Sequence, residues 1–230
     1  MEERLLTLIN RDWTSPWLDG PMAVMSSLSF WAIPLIVIAA ALAVCGGFRA
    51  RAMLVVLILT IIISDSIIGD GLKHLIRRPR PNEVVAGVRI VSLDLHHGIA
   101  RLRGLFSPTA PTGAHSKWIV VAYSRPNPDT ARGRSFPSDH ALNNMCAAMV
   151  LTCFYRRFGW LFFIPALAVS YSRIYVGSHW PSDVGISIVM ALGLSLVLLA
   201  CYEALWQKLG PGVMPRIFEK HPSLWATATP

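Results

Sequence analysis

Five apolar runs decide what this chain can fold into: residues 22–45, 52–68, 141–155, 160–176 and 184–202. Most approach the roughly 20 residues that a helix needs to cross a bilayer, and the third does so by starting near Ser138. Only 15% of the 230 residues are charged, against roughly 25% in a soluble domain. There is too little polar surface to clothe these runs in water. The expected fold is all-α and integral to the membrane, a helical bundle of five or six transmembrane helices. It forms one domain over residues 1–230, with spans at 22–45, 52–73, 138–155, 160–177 and 183–205.

The flanking segments read differently. Residues 1–20 carry Glu2, Glu3, Arg4, Arg11 and Asp12 and have no apolar core, so they are not a signal peptide. Leu5, Leu6, Leu8 and Ile9 share one side of a short helix that stops at Ser15-Pro16. It is expected to lie on the membrane surface as an interfacial helix. Residues 82–136 form the one long polar connection, an extracytoplasmic loop in which VRIVSL and KWIVVAY read as short strands. Residues 211–230 are expected to be an irregular cytoplasmic tail. Cys45, Cys146, Cys153 and Cys201 all sit in apolar runs and read as packing residues. The net charge of +8 suits an anionic bilayer or a phosphorylated substrate. No basic surface interleaved with aromatics supports a nucleic-acid partner.

Three polar clusters interrupt the apolar pattern: KHLIRRPRP from Lys73, PSDH from Pro137, and SRIYVGSHWPSD from Ser172. Counting crossings puts all three on one face of the membrane. The opposite face holds Arg49, Arg51, Arg156, Arg157 and Lys208 in short links, the placement of cytoplasmic basic residues. The clusters therefore face outward.

Each cluster has a plain reading and a chemical one. PSDH can be only a helix start, with Ser138 as N-cap and Asp139 in the first turn. A helix start also aims free N–H groups at an anion, with His140 beside them. His179 and Asp183 are four apart, which allows contact in a helical turn. A carboxylate beside an imidazole fixes its tautomer and raises its nucleophilicity. Lys73, Arg77, Arg78 and Arg80 can be interfacial cations. For Arg77 and Arg78 that reading is preferred, whereas Lys73 and Arg80 are expected to hold phosphate oxygens. Asp70 can reach Lys73, and Asp65, deeper in the span, is expected to have a structural partner.

Together the clusters resemble the type 2 phosphatidic acid phosphatase superfamily, whose signature is K-x6-RP, then PSGH, then SR-x5-H-x3-D. Lys73 with Arg80-Pro81, Pro137 to His140, and Ser172-Arg173 with His179 and Asp183 match it in order and spacing. One residue departs, since Asp139 stands where the family has Gly. A carboxylate there is expected to pair with Arg80, Arg134 or another loop cation. The resemblance implies that His179 is the nucleophile, Asp183 its orienting partner and His140 the acid that protonates the leaving oxygen. It also implies that Lys73, Arg80, Arg173, Ser138 and the backbone of Asp139 bind phosphate, with no metal or other cofactor.

The implied activity is a lipid-phosphate phosphatase working through a phosphohistidine at the outer face of a bacterial inner membrane. The partners are the bilayer and a phospholipid or polyprenyl phosphate. PSDH resembles the subgroup acting on undecaprenyl pyrophosphate. Phosphatidylglycerol phosphate, phosphatidate and a lipid A phosphate are the other candidates. A lipid phosphotransferase shares the first half-reaction. An anion transporter would need polar residues through the depth of several helices.

Overall fold

The computed structural model describes residues 1–93, 119–126, 131 and 133–225. Most of the long connection's tip, with Arg101, Arg103, Lys117 and Arg132, lies outside the described residues, as does the end of the tail.

Helix α1 (Glu2–Thr7) widens into a π-type turn (Leu8–Asp12) and is followed by α2 (Pro16–Ser26). Leu6 and Ile9 are buried beside Val88, Ala141, Tyr175 and Val184. Leu6 and Ile9 therefore face protein, while Leu5 is exposed and Leu8 half-buried. Ser15 and Pro16 open α2 rather than end the segment, with the Ser15 hydroxyl accepting from the Trp17 N–H at 3.4 Å.

Helix α3 (Leu28–Cys45) starts at Leu28, not Met22. Ser27 is extended, and its hydroxyl caps the new helix by accepting from the Phe30 N–H at 3.4 Å. No residue of α3 is buried, although the helix is apolar all round. Its leucines, isoleucines and aromatics can be solvated only by lipid. Helix α4 (Phe48–Ile62), a π-type segment (Ile63–Gly69) and α5 (Asp70–Ile76) form one long run. Short α6 (Pro81–Val84) follows. Strands β1 (Arg89–Leu93) and β2 (Ile119–Tyr123) pair antiparallel, Arg89 opposite Tyr123, where short strands were expected.

Helix α7 (Asp139–Phe154) is the centre of the bundle, packed against α4, α8 (Phe163–Tyr175) and α9 (Pro181–Val213). Leu142, Cys146, Val150 and Phe154 are fully buried along it. Leu28–Cys45, Phe48–Val84 and Pro181–Val213 are long and apolar enough to cross a membrane. Helices α7 and α8, at 16 and 13 residues, are shorter. The tail is helical as far as Lys220, because α9 continues through Pro211 and α10 (Pro215–Lys220) folds back on it.

Asp65 has its structural partner. The Asn143 side chain donates to it at 2.9 Å and accepts from the Ser64 hydroxyl at 2.6 Å, which clamps the α4 run to α7.

Candidate active site

The turn from α8 into α9 places the third cluster. Gly177 has φ +72°, the left-handed region that ends helices, and a Cβ there would lie 2.5 Å from Val88 Cγ1 and 2.7 Å from the Arg89 carbonyl. The chain folds back tightly enough for the Ser178 and His179 N–H groups to donate to the Arg173 carbonyl at 3.1 and 3.3 Å. This closure explains the spacing of Arg173 and His179, since five residues are what the turn consumes. Pro181 then opens α9, and Asp183 accepts from the Trp180 N–H at 3.2 Å.

His179 is 3% exposed, and its Nδ1 lies 2.6 Å from the backbone carbonyl of Ser135. A carbonyl can only accept, so Nδ1 carries the proton and Nε2 keeps the free lone pair. Burial, then the charges of Arg173 and Arg80, push the imidazole well below its ordinary range against the pull of that carbonyl. His179 is therefore neutral, the form a nucleophile needs.

The expected contact between His179 and Asp183 is replaced by an indirect one. Asp183 is fully buried and takes Arg78 Nη1 at 2.7 Å on one oxygen. Its other oxygen takes the Ser135 hydroxyl at 2.5 Å and the Trp180 N–H. Ser135 thus joins carboxylate to imidazole, hydroxyl to one and carbonyl to the other. Arg78 is not an interfacial cation. It binds Asp183, Ser182 at 2.8 Å and Glu2 at 2.6 Å, and stacks on Trp180 at 5.4 Å.

His140, at the start of α7, repeats the arrangement of His179. Its ring is hydrogen-bonded to the Ser26 backbone, while Nε2 is buried with no partner among the described residues. Arg173 donates to the same Ser26 carbonyl at 3.3 Å and to the Ser26 hydroxyl, and its Nε is buried and unpartnered. Arg80, Arg173 and Lys73 all act electrostatically on His140. Ser138 is buried, and its N–H is taken by the Ser187 hydroxyl at 2.9 Å, while its own hydroxyl has no partner among the described residues. The charges of Arg80 and Arg173 thus act on both imidazoles, and His140 Nε2, Arg173 Nε and the Ser138 hydroxyl are buried with no partner among the described residues.

Asp139 pairs with Lys73, not with Arg80 or Arg134. Asp70 lies 3.7 Å from the same ammonium, at the expected i,i+3 spacing. The second Asp139 oxygen lies where a Cβ on Gly69 would come within 3.1 Å, so Gly69 makes room for the carboxylate. Beside Lys73 is a cavity of 390 Å³ lined also by His74, Arg77, Ala131, Gly133 and Arg134.

The PAP2 superfamily model matches residues 51–207, which hold all three clusters. The chain belongs to the PAP2 superfamily. Among relatives it is 34% identical over 86 residues to YbjG of Escherichia coli, 36% of this chain and 40% of that protein. It is 33% identical over 84 residues to undecaprenyl-diphosphatase BcrC of Bacillus subtilis, covering 32% of this chain and 44% of that one. It is 47% identical over 51 residues to an undecaprenyl-diphosphatase of Sulfolobus acidocaldarius, 22% of this chain and 25% of that one. Each match spans less than half of the relative. The crystal structure of Aquifex aeolicus LpxE shares the fold, with a TM-score of 0.56 at 21% identity over 86% of this chain and 94% of that one. As a PAP2 protein with lipid-facing helices, the chain is integral to the membrane.

Beyond the PAP2 signature, sequence reasoning missed Ser135, Arg78, Glu2 and Ser26. Arg78 was visible as the charge inside RRPRP. Ser135 and Ser26 each act through a backbone carbonyl as well as a hydroxyl, and no residue pattern reveals a carbonyl contact.

Proposed function

We propose that this PAP2 protein is a lipid phosphatase that hydrolyses undecaprenyl diphosphate to the monophosphate through a phosphohistidine on His179. The observation that carries the proposal is the pair of histidines, each with a backbone hydrogen bond on one side and beside the guanidiniums of Arg80 and Arg173. The phosphate would lie among Arg173, Arg80, Lys73 and the Ser138 hydroxyl. The His179 Nε2 lone pair attacks the terminal phosphorus, and the bridging P–O bond breaks. His140 enters the step as the imidazolium, one N–H held by the Ser26 carbonyl and the charge of the bound diphosphate favouring the cation, and its Nε2 gives a proton to the leaving oxygen. Its lone pair then takes a proton from water, which attacks phosphorus and breaks the P–N bond. Inorganic phosphate leaves and both imidazoles are restored. Fixed cations stabilise the charge that builds on the equatorial oxygens.

The substrate reading is supported by the relatives named undecaprenyl-diphosphatase and by the PSDH cluster. The outward orientation is supported by Arg49, Arg51, Arg156 and Arg157, which gather in short links at the other end of the helices. On this reading α7 and α8 complete five crossings, and the clusters face the periplasm or exterior of a bacterial inner membrane.

The test is a panel assay on protein purified in detergent. Undecaprenyl diphosphate, phosphatidate, phosphatidylglycerol phosphate and a lipid A phosphate are each supplied, and free phosphate is measured beside phosphorylated acceptor lipid. Fastest phosphate release from the diphosphate is expected. Faster turnover of another lipid would reassign the substrate, and phosphate appearing on an acceptor instead of in water would make the protein a transferase.

A further inference from the structure

Behind the nucleophile, one guanidinium bridges two carboxylates that are far apart in sequence. Arg78 Nη1 donates to Asp183 at 2.7 Å and Nη2 to Glu2 at 2.6 Å. The second Glu2 oxygen accepts from the Ser182 hydroxyl and from the Ser182 N–H at 3.3 Å, a free donor of the first turn of α9. Glu2 is held in place because Leu6 and Ile9 anchor its helix in the core that also contains Trp180 and Val184. Burial acts to raise the Glu2 carboxyl, but the Ser182 hydroxyl and the charge of Arg78 outweigh it and hold the group below its ordinary value. Glu2 is therefore ionised at neutral pH.

The charges decide what this contact does. Positive charge develops on the His179 imidazole as Nε2 bonds to phosphorus, and Asp183 lies one residue away through Ser135. Arg78 bound to Asp183 would cancel that carboxylate. With Glu2 bound to the same guanidinium, the assembly keeps one net negative charge. We infer that Glu2 is a positioning residue that acts through Arg78 to keep Asp183 oriented and its charge uncancelled, tying the seating of helix α1 to phosphoryl transfer. The inference rests on the reading of His179 as nucleophile. A mere surface ion pair would contribute little and would not distinguish a transition state from a bound anion.

Full-length protein in detergent is titrated with orthovanadate, whose five-coordinate adducts resemble phosphorus in transfer, and separately with inorganic phosphate. Glu2→Gln keeps the shape and removes the charge. It should weaken vanadate about tenfold, the scale of one charge-assisted hydrogen bond, and leave phosphate within about twofold. Glu2→Asp keeps the charge and should lose less than about threefold for vanadate. The inference is overturned if Glu2→Gln binds vanadate like the unaltered protein, loses both anions alike, or is matched in its loss by Glu2→Asp. His179→Ala separates the two levels. Weakened vanadate binding there with no change in Glu2→Gln removes the inference alone. Unchanged binding in His179→Ala removes the nucleophile reading, and the inference with it.

Discussion

Replacing Ser135 with Ala tests how Asp183 reaches His179, the proposed nucleophile. The substitution leaves the backbone carbonyl that holds His179 Nδ1 at 2.6 Å, but removes the hydroxyl that anchors it to Asp183 at 2.5 Å. A buried hydrogen bond to a charged group is worth about 1.5–3 kcal/mol. Asp183 keeps Arg78 at 2.7 Å and the Trp180 N–H at 3.2 Å, so no charge is orphaned and the lower end applies. If that energy serves to align His179, kcat falls about 10- to 30-fold, at about 1.4 kcal/mol per factor of ten. KM should move by less than about twofold, because Arg80, Arg173 and Lys73 are untouched. The assay is steady-state phosphate release from the preferred lipid, with kcat and KM resolved. A double-mutant cycle completes it. If Asp183 works through Ser135, Ser135→Ala added to Asp183→Asn lowers kcat no further than Asp183→Asn alone. Additive losses, or a kcat within about twofold of the unaltered protein, would refute the indirect link.

Three further outcomes follow from the same geometry. Asp139→Asn removes one of the two carboxylates on Lys73 and should tighten competitive inhibition by inorganic phosphate about tenfold, read from inhibition constants. Gly177→Ala forces a side chain into a left-handed position against Val88 and the Arg89 carbonyl, and should cost about 2 kcal/mol or more in detergent unfolding. His179 is held well below its ordinary pKa, so its unfolded form binds a proton that the folded form refuses. Below about pH 6.5 stability should therefore fall by up to about 1.4 kcal/mol per pH unit, a slope that His179→Gln flattens in thermal scans.

Sequence spacing carried the local parts of this structure. Pro181 and Asp183 mark a helix start, Asp70 reaches Lys73 within a single turn, and Arg89–Leu93 pairs with Ile119–Tyr123 inside the two expected strands. Each is decided within a few residues or by a shared period. The long-range contacts were not readable in that way. Asp139 meets Lys73 across 66 positions because Gly69 leaves room, and Arg78 turns inward after Arg77 takes a left-handed φ of 50°. The break at Ser27, inside a uniformly apolar run, puts Ser26 against Arg173 and His140. Hydropathy has no term for a hydroxyl that caps a helix, so that run read as one span. The docking of α1 was hidden for a related reason, since an apolar helix face looks the same whether lipid or protein covers it.

The most direct measurement of the central claim is acid- and base-quenched labelling with undecaprenyl diphosphate carrying radioactive terminal phosphate. A protein-bound label that is lost in acid, survives base, maps to His179 and is absent from His179→Ala is the predicted result. Turnover by His179→Ala, or a label on any other residue, would contradict it.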